Sequence, residues 1–231
     1  MDWWIIFHLT LILLGIAVPF VPSFAPGLTK MKWLSNQRSR LLTGLLLVCL
    51  GGFTVSAHTL WFHNKFHELG SSGIGCAAFG VFDCASVIAN SKYNSDPIFG
   101  APWGVVGMLA FTLLGWLALS VQSDPTAKWV EMHLKVGVGA SAIGVLIALY
   151  LVYVEIFPLG GVFCQYCSVA HFADLVSLVM FFKLLSLKEG NSWLTESEGA
   201  KVEKSKQISE IKSDRRSSGG YVKPTTSSEE E

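Results

Sequence analysis

The sequence predicts an all-α integral membrane protein: a four-helix transmembrane bundle, one extra transmembrane helix on its N-terminal side, and a disordered C-terminal tail. Three observations lead there. Of the 231 residues, 51% are hydrophobic and only 15% are charged. The apolar residues gather into five runs, 3–24, 41–61, 103–121, 136–157 and 168–187, each long enough to cross a bilayer. The charges are segregated between these runs, although the formal net charge is zero. A soluble fold has no use for five such runs.

The first run follows Met1 and Asp2 directly, without the basic leader of a secretory signal, and is long for a signal core. It is therefore expected to be a retained anchor. Pro19, Pro22 and Pro26 should break its helix, because each ring removes a backbone donor and clashes with the preceding turn. The link that follows carries Lys30, Lys32, Arg38 and Arg40. Residues 1–40 thus form an N-terminal helix with a basic link.

Residues 41–187 hold the other four runs. The stretch after them carries Lys188, Lys201, Lys204, Lys206, Lys212, Arg215 and Arg216. The positive-inside bias assigns both basic clusters to the cytoplasm, and an even number of spans separates them, so the two assignments agree. Segments 62–102 and 158–167 then fall on the extracytoplasmic face, and the link around Lys128 returns inside. Residues 188–231 are rich in Ser, Glu, Lys, Thr and Gly. They offer too little apolar surface to offset the entropy of ordering, so a disordered cytoplasmic tail is expected. A tail that folds on a partner is the alternative. No internal repeat, phosphate-binding glycine motif or basic nucleic-acid stripe is present. A transporter would want polar groups in mid-span, whereas His8, His58 and Glu155 fall near span ends or in the extra helix.

The chemistry rests on cysteines. Cys49, inside "LLLVCLGG", reads as a small buried hydrophobe. The other four lie in the external segments: Cys76 and Cys84 in "GCAAFGVFDCASVIANSKY", and Cys164 and Cys167 in "CQYC". An even count on an oxidising face suits disulfides. Static staples are one reading, but a CxxC ring is so small that its loop-closure benefit is slight. The spacing suits opening and closing better. It also sets Cys167 at the start of a helix, where free amides favour the thiolate that attacks disulfides. Gly160 and Gly161 free the backbone for the turn before it. A zinc site is the competing reading, with His63 and His67 at i, i+4 spacing, yet the eight-residue offset of Cys76 and Cys84 does not fit the usual knuckle.

The external cysteine pair, then "FGAPWGVVGMLAF" opening a span, then CxxC heading the last span, together resemble the vitamin K epoxide reductase family over residues 41–187. The resemblance implies a four-helix bundle around a quinone of the ubiquinone or menaquinone/phylloquinone type, with no metal. It implies that Cys164 and Cys167 are the redox centre, with Cys167 beside the quinone, and that Cys76 and Cys84 are the shuttle pair. By the same resemblance, Asn90 or Ser91 stands for the hydroxyl residue of the cap helix. Asp96 or Asn94 stands for a hydrogen-bonding residue before the second core span, although "SDP" is also an ordinary turn. His171, four residues after Cys167 and so on its helical face, stands where vertebrate members carry tyrosine.

Electrons would then run from a separate thioredoxin-fold protein through both pairs to the membrane quinone pool, supporting disulfide formation outside the cytoplasm. A separate partner is expected because no thioredoxin-like segment follows the core. Vitamin K epoxide or quinone reduction would use the same relay, but the tail ends in "SSEEE" without an evident ER-retrieval signal. Another class of bacterial quinone-linked disulfide oxidase places its CxxC pair first, whereas here it comes last. A stapled or zinc-bound membrane scaffold remains the noncatalytic reading.

Overall fold

Among the described residues, five helices are long and apolar enough to span a bilayer, and they coincide with the five apolar runs. The computed structural model describes residues 3–70, 80–88, 90, 92–190, 192–194, 199–200, 203–204 and 207–208. Cys76, Ser91 and most of the expected disordered tail lie outside the described residues. The chain divides into a unit ending at Trp193 and a second unit from Leu194 onward, whose described residues are mostly helical.

Helix α1 (Trp3–Ala17) gives way at Val18–Phe20 to a tighter 3-10 turn and then to the short α2 (Val21–Phe24). Pro19 and Pro22 sit at the starts of those two pieces, as the proline series predicts. Helix α3 (Gln37–Leu69) is capped by the Asn36 side chain, which accepts from Ser39 N at 2.8 Å. It outlasts its apolar run by two turns. Nothing after Trp61 breaks a helix until Gly70, which takes φ 69°, and Lys65 pairs with Glu68 at 2.8 Å across one turn. At 33 residues α3 is about 50 Å long, well beyond the hydrocarbon thickness, so its last turns stand clear of the membrane.

The short α4 (Cys84–Ile88) follows in the loop, then α5 (Trp103–Ser123), α6 (Val130–Ile156) and α7 (Gln165–Glu189). Helix α6 begins six residues before its apolar run, because Glu131 and Lys135 pair at 2.6 Å along its first turns. In a bilayer, close packing of small residues drives helix association, since burying apolar surface brings no gain over lipid. Helix α3 is central and uses this on two sides. A Cβ on Gly15 of α1 would lie 2.6 Å from Gly44 O of α3, and a Cβ on Gly104 of α5 would lie 2.7 Å from Leu60 N. On α6, Gly137 accommodates the Phe181 ring of α7. Outward-facing Leu109, Trp116, Leu146 and Phe182 are exposed, as lipid contact requires.

The basic segments meet at one end of the bundle. Arg38 Nη1 donates to Trp193 O at 2.7 Å, Trp193 Nε1 donates to Pro125 O at 2.7 Å, and the Arg38 and Lys188 cations lie over the Trp193 ring. The start of α3, the α5–α6 link and the segment after α7 are thereby tied together, and Cys84, Cys164 and Cys167 lie towards the opposite end.

Candidate active site

Helix α6 stops at Ile156, and the chain reverses through Gly160 and Gly161, whose φ values of 71° and 84° only glycine takes cheaply. Gly161 N bonds Glu155 O at 3.0 Å, so the turn folds back onto the helix it leaves. The next residues bind the α3–α5 loop: Phe163 N donates to Val81 O at 2.9 Å and Asp83 N donates to Phe163 O at 3.0 Å. This two-bond strap sets the start of α4, and with it Cys84, against the start of α7. The Asp83 carboxylate caps α4 by accepting from Ser86 N and the Ser86 hydroxyl, and the hydroxyl bond chiefly holds its pKa below the usual value.

The strap produces a thiol cluster. Cys164 is 0% exposed and in the thiol form, and the thiols of Cys167 and Cys84 are both within hydrogen-bonding reach of its sulfur. Cys164 is the N-cap of α7: its Sγ accepts from Cys167 N at 3.3 Å. The helix-terminal amide is thus spent on Cys164, where the sequence reading had expected the helix start to favour Cys167. In this state the Cys164 pKa stands well above the ordinary thiol value, first through its bond with Cys167 and further through burial. Glu155, 3% exposed, accepts from Cys164 N at 3.0 Å with Oε1 and so fixes the turn from α6.

Tyr166, fully buried between the two cysteines, is held from the other side. Its ring lies 4.8 Å from His58 and 4.9 Å from Phe62 on α3, and 6.2 Å from His8 on α1. His8 in turn contacts His58 Nδ1 through Nε2 at 3.3 Å and Thr54 Oγ1 through Nδ1 at 3.0 Å. The extra N-terminal helix therefore reaches the residue inside CxxC.

Below the thiols, a cavity of about 130 Å³ opens between α3, α5, α6 and α7. Its wall carries Cys167, His171 and Asp174 from α7, Ser56 and Thr59 from α3, and otherwise mostly apolar side chains such as Val106, Phe111 and Leu151. His171 Nδ1 and Asp174 Oδ2 are buried and have no hydrogen-bond partner among the described residues. A cysteine sulfur, two unmet polar atoms and apolar walls suit a flat apolar ring with polar ends.

Of the residues named from the sequence, the structure brings Cys84, Cys164 and Cys167 together and places His171 on the cavity wall with Cys167. Asn90, Asn94 and Asp96 are not on that wall. Asn90 Oδ1 accepts from Lys92 N at 3.2 Å in a local turn. Asn94 Nδ2 meets His63 Nδ1 at 2.7 Å and Ile88 O at 2.9 Å, joining the C-terminal end of α3 to α4. The Asp96 carboxylate accepts from the amides of Phe99 (2.8 Å), Ala101 (2.7 Å) and Ile98 (3.0 Å), which hold its pKa below the usual value, the Phe99 bond foremost. That is the turn reading of "SDP".

Sequence reasoning missed Asp174 and underrated Glu155. Asp174 could have been found, because a carboxylate in the middle of an apolar span marks a functional site by default. The partner of Glu155 could not, since the bond runs to a backbone amide nine residues on.

The model of the vitamin K epoxide reductase family matches residues 44–182. No curated protein matches the chain at a significant level. The family match spans α3 to α7 and leaves α1 outside it.

Proposed function

The chain belongs to the vitamin K epoxide reductase family of membrane oxidoreductases, and from that premise we propose that it carries electrons from a separate thioredoxin-fold protein through Cys76 and Cys84 to Cys164 and Cys167, and on to a quinone. The observation that carries this reading is the position of Cys164, whose sulfur is within hydrogen-bonding reach of both Cys84 and Cys167. A thiol between two others can exchange disulfides with either.

The exchange balances as follows. A partner thiolate attacks the Cys76–Cys84 disulfide and releases Cys84 as thiolate. Cys84 attacks Cys164 of the Cys164–Cys167 disulfide, forming Cys84–Cys164 and releasing Cys167. The second partner thiol displaces Cys76, and Cys76 then closes on Cys84 and frees Cys164. The partner has lost two electrons and two protons, and Cys164 and Cys167 hold them as thiols. A bound quinone supplies the acceptor of two electrons and two protons. Cys167 and His171 would hold it in the cavity, the imidazole by hydrogen bonding or proton exchange at the ring oxygen. The cavity wall fits that group, being mostly apolar and carrying two buried polar atoms, His171 Nδ1 and Asp174 Oδ2, that have no hydrogen-bond partner among the described residues.

The basic end of the bundle supports a cytoplasmic orientation for the links and an extracytoplasmic one for the cysteines, which is where disulfides are made in exported proteins. The test is anaerobic quinone reduction by the purified chain. Wild type should reduce quinone with either a thioredoxin-fold partner or a small membrane-accessible dithiol. Cys84→Ala should lose the first activity and keep the second, because the dithiol reaches CxxC directly. Equal loss of both would make the loop pair structural, and no quinone reduction by wild type would overturn the reading.

A further inference from the structure

Asp174 has no task in the relay, yet its surroundings assign it one. It lies nine residues into the 25-residue α7, near the middle of the span, where an ionisable side chain is expensive to keep. Helix α6 makes room for it by giving up a side chain: a Cβ on Gly144 would run into the Asp174 carboxyl group. A polar link between α6 and α7 would be the plain explanation, but Asp174 Oδ2 is buried without a hydrogen-bond partner among the described residues. The group is seated and its bonding capacity is unspent.

Cys167, His171 and Asp174 follow one another at i, i+4 and i+7, so they share a face of α7, and all three line the same cavity. Along the axis, Cys167 and Asp174 are about 10 Å apart. We infer that Asp174 is the far anchor of the ligand: a ring with a carbonyl at each end lies along α7, one oxygen at Cys167 and His171 and the other at Asp174. This rests on the quinone reading above. A carboxylic acid donates to a quinone oxygen and a carboxylate accepts from a quinol hydroxyl, so this one side chain meets both oxidation states. A ligand with one polar end would leave Asp174 unmet, and the site would discriminate against it.

The test compares two probes on the air-oxidised full-length chain by titration calorimetry, so that no turnover occurs. One is 2,3-dimethyl-1,4-naphthoquinone, whose blocked ring carbons resist thiol addition; the other is 1-tetralone, with a single carbonyl. Wild type should prefer the quinone. Asp174→Leu should lose about tenfold in quinone affinity, the size of one buried hydrogen bond, and change little for the ketone. Asp174→Asn keeps a donor and an acceptor and should retain the preference. Gly144→Ala, which displaces the carboxyl group, should reduce it, and decides the matter if Asp174→Leu does not fold. An unchanged preference in Asp174→Leu or Gly144→Ala overturns the anchor alone. Failure of wild type to bind the quinone overturns the quinone reading beneath it.

Discussion

Glu155 is the clearest place to test whether the CxxC turn is held by a single bond. Its Oε1 is 3.0 Å from Cys164 N in a site where both residues are almost wholly buried. Glu155→Ala removes the acceptor and leaves the Cys164 amide buried with nothing in its place, which costs about 1–3 kcal/mol. Spent on local opening of the turn, that is roughly a 5- to 150-fold rise in the open population. Hydrogen–deuterium exchange of residues 160–166 in the reduced protein reads it directly. Glu155→Ala should exchange faster by that factor, with α5 and the lower half of α7 unchanged. Glu155→Gln keeps a carbonyl oxygen in the same position and should exchange within a few-fold of wild type. If Ala exchanges no faster than wild type, the bond does not hold the turn. If Gln is as fast as Ala, the charge rather than the acceptor matters, and the geometric argument is wrong.

Cys167→Ala should accumulate a Cys84–Cys164 disulfide visible by peptide mapping, because Cys164, left as a lone thiol, attacks Cys84 of the Cys76–Cys84 disulfide and releases Cys76, and no Cys167 is present to reopen the bond; a trapped bond through Cys167 in Cys164→Ala would reverse their roles. Gly44→Val should push α1 off α3, since even a Cβ at Gly44 meets Gly15 O. Overpacking of about 1–3 kcal/mol lowers the melting midpoint by roughly 2–12 °C, while Gly139→Ala, with open space at its Cβ, should not lower it. Asp83 and Asp96 both have lowered pKa values, so the order they lend the α3–α5 loop is complete above the ordinary aspartate value of about 3.9 and is lost as pH falls through their lower folded values. Exchange of residues 92–102 should therefore accelerate below about pH 4, and Asp96→Asn should flatten that dependence.

The spans were legible because a bilayer demands a minimum length of apolar helix, and nothing in residues 3–24 or 103–121 competes with that reading. Their ends were less so. Helix α3 runs on to Leu69 because helix formation depends on local bonds and breakers, whereas the apolar run marks only where lipid ends. The CxxC turn was readable in its glycines and its cysteines, and Asp96 in its proline. What sequence could not supply was which backbone lies opposite. The strap from Val81 and Asp83 to Phe163 joins segments eighty residues apart, and only that pairing puts Cys84 on Cys164. Asp174 was passed over for a related reason: its significance lies in Gly144, thirty residues earlier on another helix, where a missing methyl group makes the niche.

The two cysteines of CQYC face different surroundings because they stand three residues apart at a helix end. A step of three residues turns about 300° around the axis, so the side chains diverge even while the sulfur of one accepts the amide of the other. Cys164 points into protein: Cys84, the Glu155 carboxylate and the end of the loop strap enclose it, and it has no surface of its own. Cys167 is on the cavity wall, with His171 and Asp174 further along the same face. A disulfide between them therefore has one sulfur open to exchange with another thiol and the other sulfur open to a membrane-soluble acceptor. The proposed direction of electron flow needs nothing more than this division. It also accounts for buried His8 and half-buried His58 behind Tyr166, because a turn whose two ends must stay in different environments has to be prevented from rotating.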